Sequence, residues 1–174
     1  GMLVKKAMKG HVDLLGPASE VQAELMGIPS FETPDYSELF AEEKEMIGKL
    51  KKAFLMVAGG AVQKYGPDLD GHQQLLMAAA DILIEIYMAE STILRTEKLA
   101  KTKGEAAVKE QIAMAQLYLY KAVDIITQKG KEGIVSFAEG DEQRMMLMGL
   151  RRYTKYTNMP NVIGLREIIT SKLV

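Results

Sequence analysis

No cysteine and no tryptophan occur among the 174 residues, and there are only two histidines and five prolines. The first absence removes disulfides, a thiolate nucleophile and thiolate-held metal together. It fits a reducing compartment, and a cytoplasmic location is the expectation. The two histidines, His11 and His72, cannot supply a di-iron bundle site, which needs two Glu-x-x-His pairs, and neither has a glutamate three residues before it. Charge of one sign is also missing. The chain carries 22 Lys and Arg against 23 Asp and Glu, a net charge of -1. A nucleic-acid binder needs a basic surplus to neutralise phosphates, so that class is set aside. No apolar run reaches the ~18 residues of a spanning helix, and no signal-peptide pattern opens the chain. A P-loop, a G-x-S-x-G elbow and a G-x-G-x-x-G turn after a strand are all absent.

What remains is 48% hydrophobic and rich in Ala, Leu, Ile, Met, Glu and Lys, all serviceable in helices. No strand alternation, hairpin dipeptide or internal repeat interrupts them. Pro17 suits the first turn of a short helix running to Met26, and "GIPSFETPDYSE" reads as a loop. A long helix is expected from Tyr36 or Leu39 to Tyr65, with the seam Ile47, Leu50, Phe54, Val57 and Ala61. Gly66-Pro67 ends it. A second is expected from Asp70 or Gly71 to about Lys101, along Leu75, Ala79, Ile82, Ile86, Ala89 and Ile93, a rod of roughly 45 Å. A third starts near Glu105, with Val108, Ile112, Ala115, Leu119, Ala122 and Ile126 as its buried face and a weak end at Gly130 and Gly133. Two shorter helices follow, one capped by Asp141 and one from Asn161 to about Leu173. Short loops between long helices make neighbours antiparallel. The fold class is therefore all-α, an up-and-down antiparallel helical bundle of about four to five main helices.

Charged residues offer little chemistry. Asp81 and Glu85 share a helix face and read as a solvated polar stripe with Thr92 and Arg95. Glu90 flanks the apolar seam, so it needs a partner, either Arg95 or a lysine from another helix. "AGGAVQK" lies inside a helical pattern and lacks the strand–loop–helix context of a phosphate loop. Gly59 and Gly60 there would let another backbone approach. His72 is expected to be exposed and idle.

The stretch "AEGDEQRMMLMGLRRYTKY" is more pointed. On a helical wheel Arg144, Arg151 and Lys155 fall within about 40° of one another, with Arg152 to one side. Met145, Met146, Leu147, Leu150 and Tyr153 fill the opposite arc. Two readings stay open. The helix packs by its apolar arc and leaves a basic stripe to solvent or to another domain. Alternatively, Arg144, Arg151, Arg152 and Lys155 grip an acidic partner or an anionic membrane surface.

Four segments carry a resemblance: "GMLVKKAMKGHVDLLGPASEVQAELM", "KAFLMVAGGAVQKYG", "AAADILIEIYMAESTILRTEKLA" and "EGDEQRMMLMGLRRYTKYT". Together they resemble the extra C-terminal helical domain of bacterial long-chain-type, very-long-chain-like acyl-CoA dehydrogenases. The likeness spans residues 2–157 in order, and the tail after Asn158 matches more loosely. It implies a flavin-dependent parent whose FAD, acyl-CoA cleft and catalytic glutamate, in a Glu-Gly-Thr-Asn-type motif, precede "GMLVKKAMKG". This chain lacks that motif, so no catalytic, cofactor-binding or metal residue is carried onto it. The resemblance makes residues 1–10 the end of the last helix of the catalytic part and 11–174 one bundle domain. It implies no cofactor in this piece, FAD in the parent, and as partners the catalytic part and a second subunit. Some relatives associate with membranes.

Overall fold

The computed structural model describes residues 15–27 and 36–171. The expectations for residues 1–10, for most of the "GIPSFETPDYSE" loop and for the last residues of the chain lie outside that range. Among the described residues there are six α-helices and no strand: α1 Leu15–Met26, α2 Ala41–Tyr65, α3 Gln73–Lys103, α4 Lys109–Phe137, α5 Gly140–Tyr153 and α6 Val162–Thr170. Short 3-10 turns, Gly66–Gly71 and Glu105–Val108, introduce α3 and α4. The all-α bundle expected from the helical periodicity is the observed fold.

Helix limits differ from the sequence reading where backbone geometry intervenes. Helix α2 starts at Ala41 because Phe40 stands in the left-handed region, φ 64°, and turns its ring into the core, 3% exposed. A helix cannot run through such a residue. Helix α3 starts at Gln73, since Gly66–Gly71 winds as the tighter 3-10 form. It ends at Gly104, whose φ of 84° only glycine takes readily and whose N–H closes the last turn on the Ala100 carbonyl at 2.8 Å. Helix α5 is not capped by Asp141. Glu139 is the N-cap residue and makes no side-chain cap bond. Asp141 lies in the first turn, where its charge still favours the positive end of the helix. Asn161 does cap α6, its Oδ1 accepting from the Gly164 N–H at 3.1 Å.

Cross-helix bonds fix the topology. Lys44 reaches Glu97 at 2.9 Å and Lys51 reaches Glu90 at 2.6 Å, so α2 and α3 run antiparallel. The Tyr118 hydroxyl donates to Glu85 at 2.9 Å, and Lys129 lies 3.7 Å from Asp81, so α3 and α4 do too. Gln116 donates to Glu43 at one end, and Gly133 meets Val57 further along, so α2 and α4 are parallel. Helix α3 packs against both. Helix α5 packs on α2 and α4, α1 lies on α2, and α6 lies on α4.

The sequence seams form this core. Leu50, Val57, Ile93 and Ile126 are wholly shielded, and "AFLMVAGGAV" is buried almost throughout. Ala79 and Ile112 are only half-buried, and Ala78 takes the inner position instead. Burying each such Leu, Ile or Val side chain contributes about 1.5–3 kcal/mol, which outweighs a surface ion pair at about 0–1 kcal/mol. The glycines of α4 do not weaken its end. A Cβ on Gly130 would meet the Leu150 methyls of α5 at 2.7 and 2.9 Å, so the bare backbone is the seat for that side chain.

Tyr153, at the end of α5, is 2% exposed, and among the described residues its hydroxyl has no hydrogen-bond partner. Burial, then the nearby Glu24 carboxylate, pushes its pKa up to about 12. An orphaned buried hydroxyl costs about 1–3 kcal/mol. Tyr153→Phe keeps the ring and removes that cost, so it is expected to raise stability by about 1 kcal/mol and Tm by about 2–4 °C. Thermal unfolding followed by circular dichroism checks this; a fall in Tm would mean the hydroxyl is satisfied.

Candidate interaction surfaces

The acidic stripe is solvated only in part, with the Asp81 side chain 47% exposed and Arg95 in the open. Asp81 and Glu85 face α4, paired with Lys129 and Tyr118. Burial, then the Glu85 carboxylate, pushes the Tyr118 pKa up to about 12. Thr92 donates to the Met88 carbonyl within its own helix. Glu90 takes Lys51, a lysine from another helix, as a charge this close to the seam requires. Glu97 binds Lys44 and Lys101, and the hydrogen bond from Lys44 does most to hold its carboxyl below the usual range. His72 is exposed and stacks on Tyr65, ring centroids 3.6 Å apart. Among the described residues no cluster of three or more metal-ligating side chains forms, and no helix is long and apolar enough to cross a membrane.

The basic stripe is real and lies on the surface. Arg144, Arg151, Arg152 and Lys155 are all exposed. Arg144 lies 3.2 Å from Asp141 in a pair open to water on both sides, worth little. Lys155 stands past the end of α5 at Tyr153, so it leaves the wheel that grouped it with the arginines. Opposite them, Met146, Leu150 and Tyr153 are buried and Met145 and Leu147 half-buried, as the packing reading requires. Arg151 borders an open groove of about 540 Å³ between α4 and α5. Lys131, Val135 and the 70% exposed Met148 share its rim.

A second surface escaped the sequence reading. The outer face of α3 carries Gln73, Met77, Ala80, Ile84, Tyr87, Ser91 and Leu94, with charge entering toward its C-terminal end at the exposed Arg95 and Lys98. Met77, Ile84, Tyr87 and Leu94 are 58%, 56%, 67% and 51% exposed. Helix α3 is therefore apolar on both sides, with its flanking acids engaged by α2 and α4. A helix apolar all round is normally covered on all sides. The signal was in the sequence, since these residues recur at alternating steps of four and three. It was hidden because the inner seam already accounted for the helix.

The described residues thus form an all-α bundle with one apolar ridge on α3 and one basic, methionine-edged groove between α4 and α5. Residues 49–152 match the acyl-CoA dehydrogenase C-terminal domain family, and this chain belongs to that family. A probable acyl-CoA dehydrogenase of Bacillus subtilis (strain 168) is 36% identical over 154 residues, covering 88% of this chain and 26% of that protein. The crystal structure of an acyl-CoA dehydrogenase complexed with FAD from Bacillus anthracis aligns with a TM-score of 0.88 and 39% identity, covering 99% of this chain and 29% of that one. The chain thus spans only about a quarter of the length of the curated relative.

A flavin dinucleotide needs backbone N–H groups, usually a helix N-terminus, at its pyrophosphate. The groove beside Arg151 is lined by the later part of α4 and the C-terminal half of α5, the negative end of the helix dipole. Pockets at Glu42, Gln116 and Tyr156, and at Asp81 and Glu132, hold about 150 and 160 Å³. They are too small for such a ligand, which takes about 300–1,000 Å³. None of these three pockets offers a flavin dinucleotide a matching seat.

Proposed function

We propose that the chain is the accessory C-terminal domain of a flavin-dependent acyl-CoA dehydrogenase, of the long-chain type, acting in fatty-acid oxidation in the cytoplasm. It packs on the catalytic part and sets the oligomeric state. FAD and the acyl-CoA cleft belong to that catalytic part, and residues 11–174 form the docking unit. The observation that carries the reading is the family match over 49–152 combined with the short span of the chain on its relatives. Arg151 and Arg152 supply the polar edge of the contact with the catalytic part, beside the methionine-edged groove, while Arg144 and Lys155 stay solvated at its margin.

The test is direct. The purified chain is mixed with FAD, an acyl-CoA and an artificial electron acceptor. The expected result is a colourless protein after gel filtration and no acceptor reduction. Retained flavin absorbance or turnover would end this reading. Association with anionic vesicles that salt abolishes, and that Arg151→Glu with Arg152→Glu removes, would favour the membrane grip instead.

A further inference from the structure

We propose that the outer face of α3 pairs antiparallel with the same face of a second copy of this chain, about a twofold axis between Ile84 and Tyr87. This deepens the oligomer-setting role proposed above and rests on it. Gln73, Met77, Ala80, Ile84, Tyr87, Ser91, Leu94 and Lys98 follow one another at steps of 4, 3, 4, 3, 4, 3 and 4. That is a heptad seam, and it reads the same in both directions. Any heptad seam has this spacing; what suits a twofold antiparallel contact here is that residues of like size stand at mirror positions. Antiparallel pairing about the centre sets Met77 against Leu94, Ala80 against Ser91, Ile84 against Tyr87 and Gln73 against Lys98. Large residues meet large ones beside the axis, and two small residues meet where the helices can approach.

Charge agrees with this orientation. The last turns of α3 carry Arg95, Lys98 and Lys103 beside the Glu97-bound Lys101, while the 3-10 turn before it carries Asp68. An antiparallel copy brings each basic end to an acidic end, whereas a parallel copy would stack basic on basic. The three acids beside the seam do not oppose it, since Asp81, Glu85 and Glu90 are already engaged by Lys129, Tyr118 and Lys51. Area agrees as well. Met77 to Leu94 covers about 26 Å of helix. With Leu83 and Met88, both also exposed, the apolar side chains offer on the order of 600 Å². That is the upper end for a patch left bare on a monomer and approaches the roughly 800 Å² per partner of a stable interface.

The absence of cysteine makes the test clean. Two variants of the 174-residue chain, Ala80→Cys and Ser91→Cys, are prepared separately and treated with a short bifunctional maleimide. Each alone should stay uncrosslinked, because its own counterpart on the second copy lies about 16 Å away along the helix. Mixed together, they should form a covalent dimer. Sedimentation should give a dimer for the unmodified chain and a monomer of unchanged helicity for Ile84→Glu. The proposal is overturned by a monomeric unmodified chain, by a mixture that does not crosslink, or by Ala80→Cys joining to itself, which signals parallel pairing. A monomer that covers this face only when joined to the catalytic part also overturns it. Flavin bound by the isolated chain would instead defeat the accessory-domain reading and leave the crosslinking result to stand by itself.

Discussion

Leu150→Ala should lower stability by about 3–4 kcal/mol, whereas Arg151→Ala, one residue along, should change it by less than about 0.5 kcal/mol. The contrast follows from the opposite faces of α5. Leu150 is 1% exposed and reaches into α4 at Gly130, where its methyls lie 2.7 and 2.9 Å from the point a Cβ would occupy. Removing it takes away the transfer energy of a whole side chain and leaves a cavity. The cavity floor is glycine backbone inside a helix, which cannot swing inward to fill it, so the cost sits in the middle or upper part of the range for Leu→Ala. Arg151 is exposed on the groove rim, and among the described residues it makes no ion pair. Urea unfolding followed at 222 nm measures both. If Arg151→Ala proved the costlier of the two, the basic stripe would be part of the fold rather than a surface.

Gly59→Ala should destabilise by about 1–2 kcal/mol, against the usual rule for a helix interior. In an open helix this change gains about 1 kcal/mol through propensity. Here the added Cβ would lie 2.5 Å from the Cβ of Ala18 on α1. Alanine has no rotamer to yield, so α1 must lift off α2, and overpacking of this kind costs about 1–3 kcal/mol or occasionally more. The second change Ala18→Gly should recover most of the loss, since the clash involves those two atoms. A double-mutant cycle from thermal unfolding measures the coupling, and limited proteolysis of α1 reports the displacement. A Gly59→Ala variant more stable than the parent chain would show that α1 does not press on α2 there.

The helices were legible because their signal is redundant. Ile47, Leu50, Phe54, Val57 and Ala61 mark one face five times over, so no single residue had to be read correctly. Boundaries were less legible. Phe40 gives no sign of a left-handed backbone, since phenylalanine has no local preference for that region, and only burial of its ring holds it there. Asp141 looked like a cap because its type favours that role, but the chain enters α5 through Gly140 at φ 58°, which moves the first turn forward.

The candidate surfaces divide in the same way. That Arg144, Arg151 and Arg152 share the outside of α5 follows from angular spacing alone. That Asp81 and Glu85 are spent on α4 does not, because Lys129 and Tyr118 are distant in sequence and only the packing of α3 on α4 brings them close. The amino-acid order by itself determined the all-α class, the three long amphipathic seams and the lack of any thiolate or paired-histidine chemistry, since each depends on local periodicity or on residues simply not present. Tertiary structure alone decided which of the two apolar faces of α3 is buried and which is left bare. Both faces carry the hydrophobic period, and only the positions of α2 and α4, with the ion pairs they draw to the flanks, choose between them.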